Sequence, residues 1–86
     1  MSNVGRLVHR LRNTPVRELV QALERDGFIL KRRTRRRSHI YAHPDGRIVV
    51  VHYHKGSDTL PRGTLKSFLS GTRWTEDDLR RLGLIR

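Results

Sequence analysis

A pair of β-rich segments joined by a short turn constrains the fold of this chain more than any other feature. Residues 38–43 and 47–53 flank a Pro-Asp-Gly turn at 44–46, and 48–51 is an unbroken run of β-branched residues. Pro, Asp and Gly are typical of tight turns, and β-branched residues favour strands. The sequence therefore predicts a hairpin, preceded by another strand that opens at Phe28.

A helix is predicted ahead of these strands. Thr14 is expected to cap free amides at the helix start, and Pro15 suits the first helical position. Apolar residues then recur at helical spacing as far as Gly27, a residue type that commonly ends helices. The first helix is therefore predicted over about 15–26.

Two further helices are predicted after the hairpin. One begins at Leu60-Pro61 and ends at Gly71. The last is short and begins after Thr75, because Thr is a good N-cap and the three acidic residues that follow favour the positive end of a helix. Trp74 is expected to anchor this region in the core.

These elements predict an α+β domain with a helix, a three-stranded antiparallel sheet, a helix and an extra short C-terminal helix. The helices are expected to cover one face of the sheet and leave the other face open. Residues 14–86 are predicted to form the single domain, and 1–13 an N-terminal extension. Within that extension, Leu7, Val8 and Leu11 have the spacing of one short apolar helical stripe.

The charge of the chain points to a polyanionic partner. The 86 residues hold 19 Lys plus Arg and 8 Asp plus Glu, a formal net charge of +11. Such an excess opposes compaction through self-repulsion, and RNA would neutralise it; a generally basic, solvated surface is the alternative. The absence of cysteine excludes disulfides and thiol catalysis. No apolar run approaches the about 20 residues of a membrane span, so we expect a cytoplasmic protein with no membrane partner.

The charge is concentrated in residues 31–37, where six of seven side chains are cationic. If this run is the turn between the first two strands, its cations project together from one edge and attract phosphates. A solvated hairpin tip and a binding surface for an acidic protein are the alternatives. The candidate RNA-binding residues are Lys31, Arg32, Arg33, Arg35, Arg36, Arg37, Ser38 and Lys55.

Five histidines are the candidates for chemistry: His9, His39, His43, His52 and His54. His39 and His43 would share one face of the second strand, and His52 and His54 one face of the third. No closed set of metal ligands is visible, so no metal site is predicted. RNA cleavage needs none, because one base can take the 2′-hydroxyl proton and one acid can protonate the leaving oxygen. A single histidine, however, is more often structural.

Other residues have structural interpretations. Tyr41 and Tyr53 are more consistent with the core face of the sheet than with base stacking, and Asp45 fits turn geometry. The chain contains no carboxylate pair, nucleophile elbow or glycine-rich phosphate loop. These absences argue against the common hydrolases, kinases and nucleotide-binding proteins.

Three segments in order resemble the HicA toxins, a family of endoribonucleases: residues 16–28, 38–51 and 54–66. The resemblance implies a fold like that of double-stranded-RNA-binding domains. It also implies cleavage of messenger RNA without a metal or a small-molecule cofactor, and neutralisation by an antitoxin of the HicB family. Residues 74–85 lie outside the segments that resemble the family.

One departure from the family concerns its Gly-Ser-His signature, which ends in the catalytic histidine. Here Arg37 precedes Ser38 and His39. An ungapped match through His43 puts Ser38 at the catalytic position, whereas a match on the Ser-His pair selects His39 and requires a one-residue slip in the strand. We predict His39 as general base or acid, assisted by His54. A catalytically weak RNA-binding module and a basic DNA-binding regulator are the alternative functions.

Overall fold

The computed structural model describes residues 4–86 and shows four helices and three strands. The elements in chain order are α1 (Val4–Leu11), α2 (Val16–Asp26), β1 (Ile29–Arg33), β2 (Ser38–Ala42), β3 (Ile48–His52), α3 (Arg62–Thr72) and α4 (Glu76–Arg81). The predicted α+β class and order of elements are confirmed, including the short C-terminal helix.

The three strands form one antiparallel sheet in the order β1-β2-β3. Along β3 the side chains alternate, with Val49 and Val51 buried and Ile48 and Val50 61% and 55% exposed. Successive strand residues point to opposite faces, so one face carries the core and the other is open. The predicted open face of the sheet is therefore confirmed.

The pairing of β2 with β3 is regular from Ser38↔His52 to Ala42↔Ile48. The irregularity in the sheet lies in β1 instead, between Leu30 and Arg32. Strand β2 thus contains no one-residue slip. Ser38 lies on the open face, and His39 lies on the core face with Tyr41.

One hydrophobic core holds the helices against the sheet. Its fully buried side chains come from all four helices and β3, and include Leu19, Leu65, Phe68 and Leu79. Trp74 is 4% exposed and packs edge-on against Phe68, with ring centroids 5.5 Å apart. The predicted anchoring role of Trp74 is confirmed.

Helix α1 also belongs to this core. Its Leu7, Val8 and Leu11 are at most 4% exposed, and the helix contacts α3. Most of the segment set apart as an N-terminal extension therefore contributes to folding, although residues 1–3 lie outside the described part of the chain. Because an isolated helix of 8 residues is unstable, α1 depends on this packing.

The predicted Thr14 cap of α2 is wrong. Pro15 is the N-cap residue, and no side chain within the described residues caps this end of the helix. The amide of Val16 instead donates to the carbonyl of Asp58 at 2.7 Å, and that of Arg17 to the carbonyl of Gly56 at 2.9 Å. Backbone carbonyls from the loop after β3 satisfy the free amides, so the helix start and this loop hold each other in place.

The end of α3 and the start of α4 agree more closely with the sequence-based predictions. Helix α3 ends at Thr72, with Arg73 in the left-handed conformation, one residue beyond the predicted end at Gly71. Gly71 lies so close to β3 that a Cβ there would be 3.0 Å from the carbonyl oxygen of Ile48. Thr75 begins α4 as predicted, and it forms a capping box with Asp78.

Asp26, at the end of α2, joins three parts of the fold. Its carboxylate accepts hydrogen bonds from Trp74 Nε1 and Arg81 at 2.8 Å each and forms a 3.1 Å ion pair with Arg47. Burial raises the pKa of Asp26, but the hydrogen bonds from Trp74 and Arg81 and the charge of Arg47 outweigh it and hold the pKa below its ordinary value.

We expect Asp26→Asn to lower the free energy of unfolding by about 2 kcal/mol at neutral pH, because the side chain is only 9% exposed and its partners lose a charge-assisted acceptor. The folded-state pKa lies below the ordinary 3.8, so this contribution is present above that pH and is lost as the pH falls below it. The difference between wild type and variant in urea unfolding should therefore shrink at about pH 3.

Asp77→Asn is the control for this effect, because Asp77 is 96% exposed and forms only a 3.4 Å surface ion pair with Arg80. Its free energy of unfolding should lie within about 0.5 kcal/mol of wild type. Equal losses in the two variants would show that Asp26 has no special role.

Candidate active site at the end of the sheet

The basic run 31–37 is divided between a strand and a turn. Lys31, Arg32 and Arg33 belong to β1, and Arg37 directly precedes β2. Arg32 pairs with Ile40 and Arg33 with His39, so these two neighbours point to opposite faces of the sheet. The expectation that all these cations project together from one turn is therefore wrong, because β1 continues through the charged residues.

The turn between β1 and β2 is closed by hydrogen bonds around Thr34. The Thr34 amide donates to the Ser38 carbonyl at 2.9 Å, and the Ser38 amide donates to the Thr34 hydroxyl at 3.2 Å. Arg37 adopts the left-handed conformation with φ 64°, which returns the chain into β2. Arg35 and Arg36 are exposed at the tip of the turn.

In the part of the chain that the structure describes, the cations of this hairpin form no ion pairs with acidic side chains. Within residues 4–86, the ion pairs to carboxylates involve Arg6, Arg10, Arg47, Arg80, Arg81 and His43. None of the basic residues from 31 to 37, nor Lys55, is among them. The charge of the basic residues from 31 to 37 is therefore not compensated by ion pairs and is available to an anionic ligand, whereas Lys55 interacts with the nearby charge of Asp58.

Four residues at this end of the sheet form a group that we call the strand-end cluster: Arg37, Ser38, His52 and His54. Ser38 Oγ lies 3.2 Å from His52 Nδ1. The rings of His52 and His54 are nearly perpendicular, with centroids 5.9 Å apart. Arg37 Nη1 contacts His54 Nδ1. Two exposed imidazoles, a hydroxyl and a guanidinium thus lie side by side on the surface.

The loop that carries His54 is held by Asp58. One carboxylate oxygen of Asp58 accepts the amide of Lys55 at 2.8 Å and that of His54 at 3.1 Å. The hydrogen bond from Lys55, followed by that from His54, keeps the pKa of Asp58 below its ordinary value. The same loop caps α2 through Gly56, so the backbone of His54 is fixed from two sides.

His39 has a different environment. Its ring stacks on Tyr53 with centroids 4.4 Å apart and a 15° interplanar angle, and its buried Nδ1 has no hydrogen-bond partner among residues 4–86. The structure therefore does not bring His39 and His54 together, because His39 lies on the core face whereas His54 belongs to the strand-end cluster. Tyr41 is buried and Tyr53 packs against the core, so the core-face interpretation of both tyrosines is confirmed.

The remaining histidines lie elsewhere. His43 Nε2 donates to the Asp26 carbonyl at 2.7 Å, and His9 is exposed on α1. Asp45 accepts the Arg47 amide at 3.1 Å, which confirms its role in the turn. Among residues 4–86, no group of three or more His, Cys, Asp or Glu side chains is arranged to hold a metal ion.

A depression of about 400 Å³ adjoins the cluster. His52, Tyr53, His54 and Asp58 line it on one side, and the segment 59–61 lines the other. It offers an anionic ligand a concave surface beside both imidazoles. His52 was not predicted as a site residue, although Ser38 and His52 each lie seven residues from Asp45, so a regular hairpin about that turn pairs them.

None of the helices within residues 4–86 has the length and apolar character needed to cross a membrane. A comparison with curated proteins finds no match. The family model for the HicA toxin of bacterial toxin–antitoxin systems matches residues 16–83 of the 86. This match includes α4, so the expectation that residues 74–85 lie outside the family pattern is wrong for 74–83. The chain belongs to the HicA toxin family.

Proposed function

We propose that this toxin is a metal-independent endoribonuclease that cleaves messenger RNA in the cytoplasm. The observation that carries the proposal is the position of His54, exposed and in contact with Arg37, next to the uncompensated cations of the β1–β2 hairpin. Imidazole transfers protons near neutral pH, and guanidinium binds phosphate oxygens. A phosphodiester held at this edge of the sheet therefore meets both groups.

The proposed RNA-binding surface consists of the basic residues of 31–37 together with Ser38 and Lys55. Arg32 lies on the open face, Arg35 and Arg36 extend beyond the sheet, and Arg37 and Lys55 flank His54. Contacts to successive phosphates from such a surface are independent of base sequence. We therefore propose binding that depends strongly on salt and weakly on sequence.

The 2′-hydroxyl is the nucleophile in this proposal, and it provides the test. The protein is incubated with a long unstructured RNA and with 2′-O-methyl RNA of the same sequence. We expect similar binding to both and cleavage of the first alone, because the methyl group blocks the attacking oxygen. Cleavage of both would contradict the proposal. Binding without cleavage of either would favour the alternative function, an RNA-binding module in which Ser38 stands at the family's catalytic position.

For the proton transfers we propose His54 and assign His39 a packing role. The stacking on Tyr53 and the buried Nδ1 leave His39 on the core side of the sheet, on the opposite face from Ser38 and His52. We expect His39→Ala to lower the cleavage rate less than tenfold. The variant loses packing, which lowers the folded fraction, but it keeps the side chains proposed to transfer protons. If His39→Ala abolishes cleavage while RNA binding and folding are kept, the sequence-based assignment of His39 as catalyst is correct instead.

We further propose an antitoxin of the HicB family as the partner that neutralises this chain. Arg35 and Arg36 at the β1–β2 turn directly precede Arg37 of the strand-end cluster, so an acidic protein that covers the turn and the cluster would exclude RNA. A candidate antitoxin should therefore compete with RNA in a binding assay and stop cleavage at equimolar ratio. Simultaneous binding of RNA and antitoxin would contradict this part of the proposal.

A further inference from the structure

We propose that His52 is a second catalytic residue, which takes the proton from the 2′-hydroxyl while His54 protonates the leaving oxygen. The inference rests on the proposed ribonuclease function and identifies the general base that acts together with His54. It is carried by the contact of His52 with Ser38 and by the distance between the two imidazoles.

The backbone places His52 for this role. His52 is the cross-strand partner of Ser38 at the end of the regular β2–β3 ladder, and both side chains lie on the open face. Directly opposed residues on one face of an antiparallel pair have their Cβ atoms close together. The His52 ring is thereby held by a hydroxyl at 3.2 Å while it stays exposed to a ligand.

The serine contact suits a histidine that changes its protonation state. A hydroxyl can accept a hydrogen bond from a protonated Nδ1 or donate one to an unprotonated Nδ1. When Nδ1 carries the proton and donates to Ser38, the lone pair of Nε2, which Ser38 does not contact, is free to act as a base. The orientation of the ring is therefore kept as Nε2 gains and releases a proton.

Two imidazoles with centroids 5.9 Å apart can contact the same phosphodiester. His52 Nε2 removes the 2′-hydroxyl proton, and the 2′-oxygen forms a bond to phosphorus. The bond from phosphorus to the 5′-oxygen breaks, and His54, which can be protonated at both nitrogens once Arg37 has turned from its Nδ1 to the phosphate, gives its proton to that oxygen. The products are a 2′,3′-cyclic phosphate and a 5′-hydroxyl, and the Arg37 guanidinium stabilises the charge on the phosphate oxygens.

The test compares His52→Ala, His54→Ala and His9→Ala on two RNAs. One is ordinary RNA, and the other carries a bridging 5′-sulfur at one linkage, whose thiolate leaves without a proton. We expect His52→Ala to cleave both substrates more slowly by on the order of 10²–10⁴-fold, with RNA affinity within about twofold. His54→Ala should be slow on ordinary RNA alone, because the sulfur linkage needs no acid. His9→Ala is the control and should match wild type.

The pH profile provides a readout that a purely structural role of His52 would not change. Catalysis by one base and one acid gives a cleavage rate that first rises and then falls as the pH increases. Loss of the base removes the rise, whereas loss of the acid removes the fall. Ser38 acts through His52 as a positioning residue. Ser38→Ala should therefore slow cleavage and shift the low-pH side of the profile, and Ser38→Thr, which keeps a hydroxyl, should restore both.

The outcomes separate this inference from the function on which it rests. If His52→Ala cleaves ordinary RNA as fast as His9→Ala while His54→Ala does not, the inference is overturned and the ribonuclease function stands. If the sulfur linkage restores the cleavage rate of His52→Ala and not that of His54→Ala, the assigned roles of base and acid are wrong. If the wild-type protein binds RNA and cleaves neither substrate, both proposals fall.

Discussion

His54→Ala is expected to lower the rate of RNA cleavage by on the order of 10²–10⁴-fold, the usual contribution of one proton-transferring side chain. The backbone of His54 is fixed by Asp58 and its ring contacts Arg37 and His52. Truncation of the exposed side chain removes the ring contacts but leaves the backbone hydrogen bond to Asp58 in place. The loss should therefore appear in the chemical step measured under single-turnover conditions, with little change in RNA affinity or stability.

His9→Ala is the matched control for His54→Ala, since it removes an exposed imidazole from α1 and should leave the cleavage rate unchanged. Far-UV circular dichroism and urea unfolding establish that both variants are folded. A His54→Ala protein that cleaves at the wild-type rate would exclude the proposed role of this residue.

Replacing Arg32, Arg35 and Arg36 together by Gln is expected to lower RNA affinity by on the order of 100-fold at physiological salt. These side chains are exposed, and within the described residues none forms an ion pair with a carboxylate. Each is thus free to release a counterion from RNA. The slope of log affinity against log salt concentration should fall by about 2, at roughly 0.7 for each lost contact to a single strand.

The control for this triple variant changes the net charge equally at another place. Arg6, Arg10 and Arg80 all form ion pairs with Glu76, far along the chain from the β1–β2 hairpin. Their joint replacement by Gln should change RNA affinity less than about tenfold. Equal losses in the two triple variants would mean that net charge, and not the β1–β2 hairpin, determines binding.

Much of the fold follows from local signals in the sequence. The Pro-Asp-Gly turn and the β-branched residues after it predict the β2–β3 hairpin, and Thr75 with the acidic residues behind it predicts α4. Each of these signals acts between residues close together in the chain. The cap of α2 could not be predicted in this way, because its acceptors at Gly56 and Asp58 come from a loop about 40 residues later in the sequence.

The candidate site was harder to predict, because its pattern depends on the register of two strands. The sequence predicted the cationic hairpin, His39 and His54 as site residues, and β2 places His39 on the core face. The imidazole that an ungapped family match lacks at Ser38 is present on the neighbouring strand, at His52. Pairing residues that lie equally far before and after Asp45 in the sequence would have predicted that Ser38 and His52 are neighbours.

Helix α1 illustrates a second limit of local signals. Its apolar stripe of Leu7, Val8 and Leu11 is visible in the sequence, but only the position of α3 shows what the stripe packs against. The family match begins at residue 16, so this helix adds to the core from outside the matched segment. Packing against a distant helix, more than helix propensity, makes such a short segment stable.

Analysis of the RNA ends produced by the wild-type protein in the presence of EDTA tests the central claim most directly. The account predicts cleavage that persists in EDTA and leaves 2′,3′-cyclic phosphate and 5′-hydroxyl ends, because histidines transfer the protons and the ribose 2′-oxygen attacks phosphorus. Cleavage that disappears in EDTA, or products with 3′-hydroxyl and 5′-phosphate ends, would contradict it, since a metal-activated water would then be the nucleophile.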